Sequence, residues 1–223
     1  MRHFRPNTIS QRVAASFAGN LYLSFYIPGK LAADPIYSFA ARQLTAEKVS
    51  DQGILDIGCG VGLFAAYLRE AGAGTPYLGI DPAEKKIRTA KRYLVPAYRN
   101  LDFQTGEGRK LPDFSGNVVA FDILQYFSDE EQITLLSDML DRLAPNGLLI
   151  LRTTLHEKHW RYAITNIEEA CIRSCGWIRG GLWNFPKRTT IEKALAGKAR
   201  FVALPTWEKT PFYSWIFLVR KMA

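Results

Sequence analysis

Apolar positions recur along the first two thirds of the chain in short unbroken runs, each followed by a stretch of helical composition. Residues 53–58 (GILDIG) form an apolar run closed by glycine, the pattern of a strand buried on both faces. Residues 63–70 then predict a helix that stops at Gly72 and Gly74. Residues 76–80 predict a second strand ending at Asp81, and residues 83–94 a helix that ends before Pro96. A third strand over 101–105, a fourth over 118–124 and an amphipathic helix over 129–143 follow. Pro145-Asn146-Gly147 turns the chain into a fifth strand over 148–152. This alternation predicts an α/β fold, a parallel sheet with helices on both faces. Such sheets take their ligands at the carboxyl ends of the strands, where the strand order reverses.

The last quarter breaks the rhythm. Residues 199–207 and 214–221 are both strand-like, separated only by 208–213. They predict a hairpin-like pair that closes one sheet edge with an antiparallel strand. Residues 155–198 are longer and richer in Trp and His than a crossover needs, and are expected to be a long loop serving as a substrate-cover insertion. Residues 1–45 precede the first strand and are expected to form an N-terminal cap. With no repeats or linkers, residues 1–223 read as a single domain.

The chemistry starts at Asp56-Ile57-Gly58-Cys59-Gly60-Val61-Gly62, between a strand and a helix. Glycines there let the backbone approach a ligand and leave the first helical amides open to it. A dinucleotide fold expects G-x-G-x-x-G; here the third glycine comes one residue early. Asp56 would repel a diphosphate but suits the ammonium group of a methionine moiety. Asp81, nineteen residues past Gly62, is placed to accept hydrogen bonds from both hydroxyls of a ribose. Cys59 reads as a small buried spacer.

These segments resemble the class I S-adenosylmethionine-dependent methyltransferases. ILDIGCGVG matches their first motif and GIDPAEKKIRTAKR the second, while QTGEGRKLP looks like the third. VVAFDILQYF with its following helix, and LAPNGLLIL, resemble the fourth and fifth. The resemblance spans about residues 53–153 and implies a Rossmann-like class I sheet with S-adenosylmethionine as cofactor. It implies a cofactor site of Asp56, Gly58, Cys59, Gly60, Gly62 and Leu63, with Asp81 and Pro82 at the ribose. Glu107 would meet the adenine amino group, and Gly108, Asp122 and Ile123 would also contact the cofactor. Lys30, from the amino-terminal segment, is expected near the methionine carboxylate, and Tyr37 in the pocket wall.

Charge widens the choice of acceptor. Lys and Arg outnumber Asp and Glu by 29 to 21, a formal net charge of +8, which would suit nucleic acid, anionic lipid or an acidic protein. Residues 13–27, preceded by Arg2, Arg5 and Arg12, resemble the charged and apolar regions of a signal peptide. Gly19, Asn20 and Ser24 interrupt the run, and it is too short to span a bilayer. The expectation is a cap with no transmembrane segment, compatible with peripheral membrane contact. Cys59, Cys171 and Cys175 give neither an even disulfide framework nor a zinc spacing, so no metal site and a reducing, cytoplasmic setting are expected.

Methyl transfer asks chiefly that an acceptor be held in line, so the sequence defines the acceptor less sharply than the cofactor. Family enzymes that methylate exocyclic amino groups of bases usually carry an Asn/Asp-Pro-Pro-aromatic segment after the fourth strand. Asp122-Ile123-Leu124-Gln125-Tyr126 has no proline, which weighs against RNA or another nucleic acid as the alternative acceptor. Residues 29–37, Asp122–Tyr126, Trp160-Arg161-Tyr162 and Thr210-Pro211-Phe212 look similar to the methyltransferases of bacterial aryl-polyene pigment clusters. Those proteins usually have His where this chain has Gln125. The similarity implies a small acceptor, aromatic or carried on an acidic acyl carrier protein. Tyr126, His156 and His159 are the catalytic candidates; the last two could deprotonate a phenol. Trp160, Tyr162, Trp177, Trp183 and Tyr213 are candidate walls, and Arg161, Arg173 and Arg179 supply charge. A non-catalytic cofactor-binding protein is the second alternative; the intact glycine loop and Asp81 argue against a chain that keeps the fold but binds no cofactor.

Overall fold

A computed structural model describes residues 8–46, 49, 51–157, 159–174, 182–206 and 213–222. The apolar runs become strands β1 (Ile54–Ile57), β2 (Tyr77–Asp81), β3 (Leu101–Thr105), β4 (Asn117–Phe121), β5 (Leu149–Thr153), β6 (Ala199–Pro205) and β7 (Trp215–Lys221). They form one sheet in the order β3-β2-β1-β4-β5-β7-β6. Strands β1 to β5 pair in parallel, while β7 is antiparallel to both of its neighbours, β5 and β6. The last strand in sequence thus inserts between β5 and β6, and the order reverses between β1 and β4.

The helices are α1 (Ile9–Ser16), α2 (Leu21–Ala33), α3 (Ile36–Leu44), α4 (Leu63–Glu70), α5 (Glu84–Leu94), α6 (Asp129–Asp141), α7 (Trp160–Ser174) and α8 (Arg188–Leu195). Side-chain alternation along the strands sorts them into layers. Ile54, Val119 and Ile150 pack with Phe17, Ile27, Ile36, Phe64 and Leu94 from α1 to α5 or the corners between them. Leu55, Val118, Leu149 and Leu151 face the other way, onto Leu136 and Met139 of α6 and Ile191 and Leu195 of α8. The amino-terminal segment is therefore three helices built into one layer, with Val13, Phe17 and Ile27 fully buried.

Two expectations need correction. The fourth strand ends at Phe121 rather than residue 124, because Asp122 takes φ +55° and Leu124–Tyr126 close into a 3-10 turn. A non-glycine residue in the left-handed region breaks the extended run whatever its hydropathy. Residues 155–198 are not one long loop, since they contain α7 and α8.

Candidate active site

The period of two that separates the layers also builds the site. Asp56, Phe121 and Arg152 stand at or near the carboxyl ends of β1, β4 and β5. Each is two positions past a residue facing the α1–α5 layer, so all three point to that side. They line a cleft with a volume of about 160 Å³, together with Gly58, Cys59, Gly60, Val61 and Leu63 from the glycine loop and the start of α4. Leu23 and Tyr26 of α2, Tyr37 of α3, Phe64 of α4 and Lys86 of α5 complete the lining.

The loop geometry explains its glycines. Gly58 and Gly60 have φ of +81° and +59°. A Cβ on Gly58 would collide with Ile123, whereas one on Gly60 would meet nothing within 4 Å. Gly60 thus presents bare backbone to open space at the cleft, the feature a closely approaching ligand needs. The amide of Gly60 donates to Asp81 Oδ2 at 3.0 Å, and that of Ala83 to Oδ1 at 2.8 Å. Asp81 therefore fastens the glycine loop to the end of β2, with lone pairs on both oxygens left over for a ligand.

Asp56 is buried and accepts a hydrogen bond from the Tyr77 hydroxyl. Burial pushes its carboxyl up to about 7; the Tyr77 bond pulls it down and the nearby Asp81 pushes it up. Such a carboxyl takes its charge most readily when a cation arrives.

Arg152 and Lys86 bring basic side chains to the cleft lining; Arg152 is the more elaborately held. Its Nη1 donates to both oxygens of Asp34 at 2.6 and 2.7 Å, and its Nη2 pairs with Asp122. Lys30 Nζ is 2.9 Å from Asp34. Burial alone would raise the Asp34 carboxyl, but Arg152 and then Lys30 outweigh it and hold it well below the ordinary range. Burial pushes the Tyr37 hydroxyl up strongly, so Tyr37 stays neutral.

Of the expected cofactor residues, the cleft gathers Asp56, Gly58, Cys59, Gly60 and Leu63. Gly62 caps α4, and Ile123 packs on Gly58. Lys30 is not part of the lining; it reaches the cleft only through Asp34 and Arg152. Pro82 is exposed beside Asp81. Glu107 is also exposed, 3.9 Å from Arg109, and Gly108 borders a separate surface cavity with Phe127 and Glu131. Tyr126 is half-buried in the turn after β4. His156 is exposed and stacks on Tyr162, while His159 stacks on Trp160 and on Tyr213, whose hydroxyl donates to Glu157. None of Tyr126, His156 or His159 lines the cleft. Trp177 and Arg179 lie outside the described residues.

Arg152, Asp34 and Lys86 were not anticipated. The one available signal was the charge that ends the apolar run LLILR, since a buried parallel strand carries a charge only at a cost.

Residues 54–147 match the methyltransferase domain family model. A ubiquinone biosynthesis O-methyltransferase from Azorhizobium caulinodans is 31% identical over 103 residues, 45% of this chain and 39% of that protein. The chain covers between 36 and 57% of the lengths of the curated relatives it matches. The crystal structure of magnesium protoporphyrin IX methyltransferase from Synechocystis with bound SAH is 24% identical with a TM-score of 0.60, covering 84% of this chain and 82% of that one. An S-adenosylmethionine-dependent methyltransferase from Clostridium acetobutylicum reaches a TM-score of 0.65 at 12% identity, covering 90 and 99%. The family-model match thus falls on the part of the chain that holds the glycine loop, and the strand order with its inserted antiparallel strand gives the chain the fold of the methyltransferase structures it resembles.

Proposed function

We propose that this protein is an enzyme that transfers a methyl group from S-adenosylmethionine to a small-molecule acceptor, aromatic or presented on an acyl carrier. The observation that carries the proposal is the pairing, in one cleft, of the bare Gly60 backbone with the buried carboxyl of Asp56. Both fit the cofactor: a Cβ at residue 60 would fill the cradle, and a carboxyl poised near neutrality complements the methionine ammonium. When bound, S-adenosylmethionine supplies a methyl group already activated on its sulfonium.

Asp56 and the loop Gly58–Gly62 would hold the methionine end, with Leu63 at the start of α4 beneath them. Asp81 and Pro82 would hold the ribose, Glu107 would meet the adenine amino group, and Gly108, Asp122 and Ile123 would also contact the cofactor. Arg152, held by Asp34 and Asp122 with Lys30 behind Asp34, and Lys86 in the cleft lining would lie on the methionine side, where a carboxylate needs basic partners. Tyr26, Tyr37, Phe64 and Phe121 give the cleft an aromatic lining suited to a planar or acyl acceptor and to excluding water. Tyr126, His156 and His159 follow β4 and β5 at the same end of the sheet and would serve the acceptor side. The names of the curated relatives, which concern ubiquinone biosynthesis, favour a small acceptor, and the net charge of +8 would suit an acidic carrier protein.

Calorimetry with S-adenosylmethionine and its demethylated product tests the cofactor half. Transfer of labelled methyl to hydroxyaryl and aryl-acyl substrates, with bulk RNA and DNA alongside, tests the acceptor half. Binding of both ligands and labelling of small acceptors only is expected. Binding of NAD in their place would refute the cofactor assignment. RNA labelling abolished by raised salt would move the acceptor to nucleic acid.

A further inference from the structure

The outer face of α2 is as apolar as its inner one. Leu23, Ile27 and Leu31 are buried in the core. On the opposite side Leu21, Tyr22 and Phe25 are 78, 56 and 83% exposed, and Tyr26, Gly29, Ala32 and Ala33 continue that side without a charge. A helix that is apolar all round is ordinarily buried. This one is not, and at 13 residues it is far too short to cross a bilayer.

The neighbouring helix α5 is basic. In α5, Lys85, Lys86, Arg88, Lys91 and Arg92 stand against a single acidic residue, Glu84, which pairs with Arg88. Lys85, Lys91 and Arg92 are exposed. Helix α5 adjoins the corner between α1 and α2: Tyr93 meets the Phe17 ring at 5.8 Å, and Arg92 lies over the Tyr93 ring. Lys86 lines the same cleft as Leu23 and Tyr26. Exposed aromatic and aliphatic side chains with basic side chains nearby are the chemistry of a helix lying in a bilayer interface.

We propose that the Leu21–Tyr22–Phe25 face of α2, with the basic residues of α5, docks this protein on an anionic lipid surface. Tyr26 belongs both to the exposed face and to the cleft lining, so the cleft would open beside the docked helix. An acceptor dissolved in the bilayer would then reach it without crossing water. That consequence rests on the methyl-transfer reading; the docking itself does not.

Flotation with vesicles of equal parts phosphatidylcholine and phosphatidylglycerol, and with phosphatidylcholine alone, tests the proposal on the full chain. The protein should float with the anionic vesicles and much less with the neutral ones. Leu21→Ser and Phe25→Ser should each cut the bound fraction about tenfold, the weight of exposing one large apolar group. Lys85→Glu with Arg92→Glu should remove the preference for anionic lipid. Cofactor affinity by calorimetry should be unchanged in these variants, because none of the four residues lines the cleft. Failure to float with anionic vesicles would overturn the proposal, as would a serine variant that floats like the parent. A parent dimer that the serine variants dissolve would assign the face to a second copy and overturn it too. Loss of cofactor binding with flotation intact would instead sink the methyl-transfer reading alone.

Discussion

Cofactor affinity should fall on mild acidification, and Asp56 is the cause. Its carboxyl titrates at about 7 because burial disfavours the charge, with Asp81 adding to the effect and the Tyr77 hydrogen bond partly offsetting it. The ordinary value is 3.8, so the folded free protein favours the neutral form. Its contribution to stability is complete below the ordinary value and is lost as pH rises through about 7. A ligand ammonium beside Asp56 reverses the preference and holds the carboxylate ionised. Below pH 7 binding must then expel a proton, and each pH unit costs about a factor of ten, or about 1.4 kcal/mol.

Between about pH 7.5 and 6, affinity for S-adenosylmethionine should therefore drop by roughly tenfold, with the ligand's own amino group still protonated. Calorimetry in two buffers of different ionisation enthalpy reads both the affinity and the proton released. Asp56→Asn should bind more weakly and lose the slope. Tyr77→Phe removes the bond that lowers the Asp56 value, so its transition should move to higher pH. Affinity flat across this window, or an unchanged slope in Asp56→Asn, would refute the reasoning.

Three further outcomes are expected. Asp81→Ala should weaken cofactor binding by roughly 10- to 100-fold while the protein stays folded, since both carboxylate bonds to Gly60 and Ala83 are lost but no core contact is; calorimetry and a thermal melt read the two effects. Arg152→Met should destabilise by about 3–5 kcal/mol in denaturant titration by leaving Asp34 and Asp122 half-buried without their shared cation, and adding Asp34→Asn should recover part of the loss. His156→Ala with His159→Ala should lower kcat by roughly 100-fold or more if either serves as base, with cofactor affinity unchanged; an unaltered pH–rate profile would assign both rings to stacking against Tyr162 and Tyr213.

The sheet was legible because each of its strands announces itself locally. GILDIG, PYLGI and LLILR are short apolar runs bounded by turn residues, and a parallel sheet covered on both faces needs nothing subtler. The insertion of β7 between β5 and β6 was not legible, since both strands carry the same pattern and adjacency depends on non-local pairing. The end of β4 was misplaced because Ile123 and Leu124 keep the strand's hydropathy while Asp122 has already turned the backbone. In the site, the glycine loop reads directly from its spacing. Arg152 does not, because its place in the cleft depends on Asp34, which lies 118 residues away along the chain. The expected Lys30 belongs to that same cluster, so the sequence pointed to the right charge sign one residue removed from the cleft.

That cluster joins the part of the chain the family model matches to the part it does not. Residues 54–147 supply Asp56 and the glycine loop. Leu23, Tyr26, Tyr37 and Arg152, all outside that range, supply much of the remaining wall. Asp34 lies just past α2, and through Arg152 it is tied to the ends of β5 and β4. A buried ion pair contributes little net stability, because desolvation offsets the attraction, but it tolerates no slippage. Apolar contacts such as Ile27 and Leu31 would allow α2 to slide along the layer; a guanidinium shared between Asp34 and Asp122 does not. The polar link would thus hold Tyr26 and Tyr37 at a set height over the glycine loop. If the protein transfers methyl groups as proposed, its acceptor preference would then reside in the amino-terminal helices and the end of β5, outside the part that the family model matches.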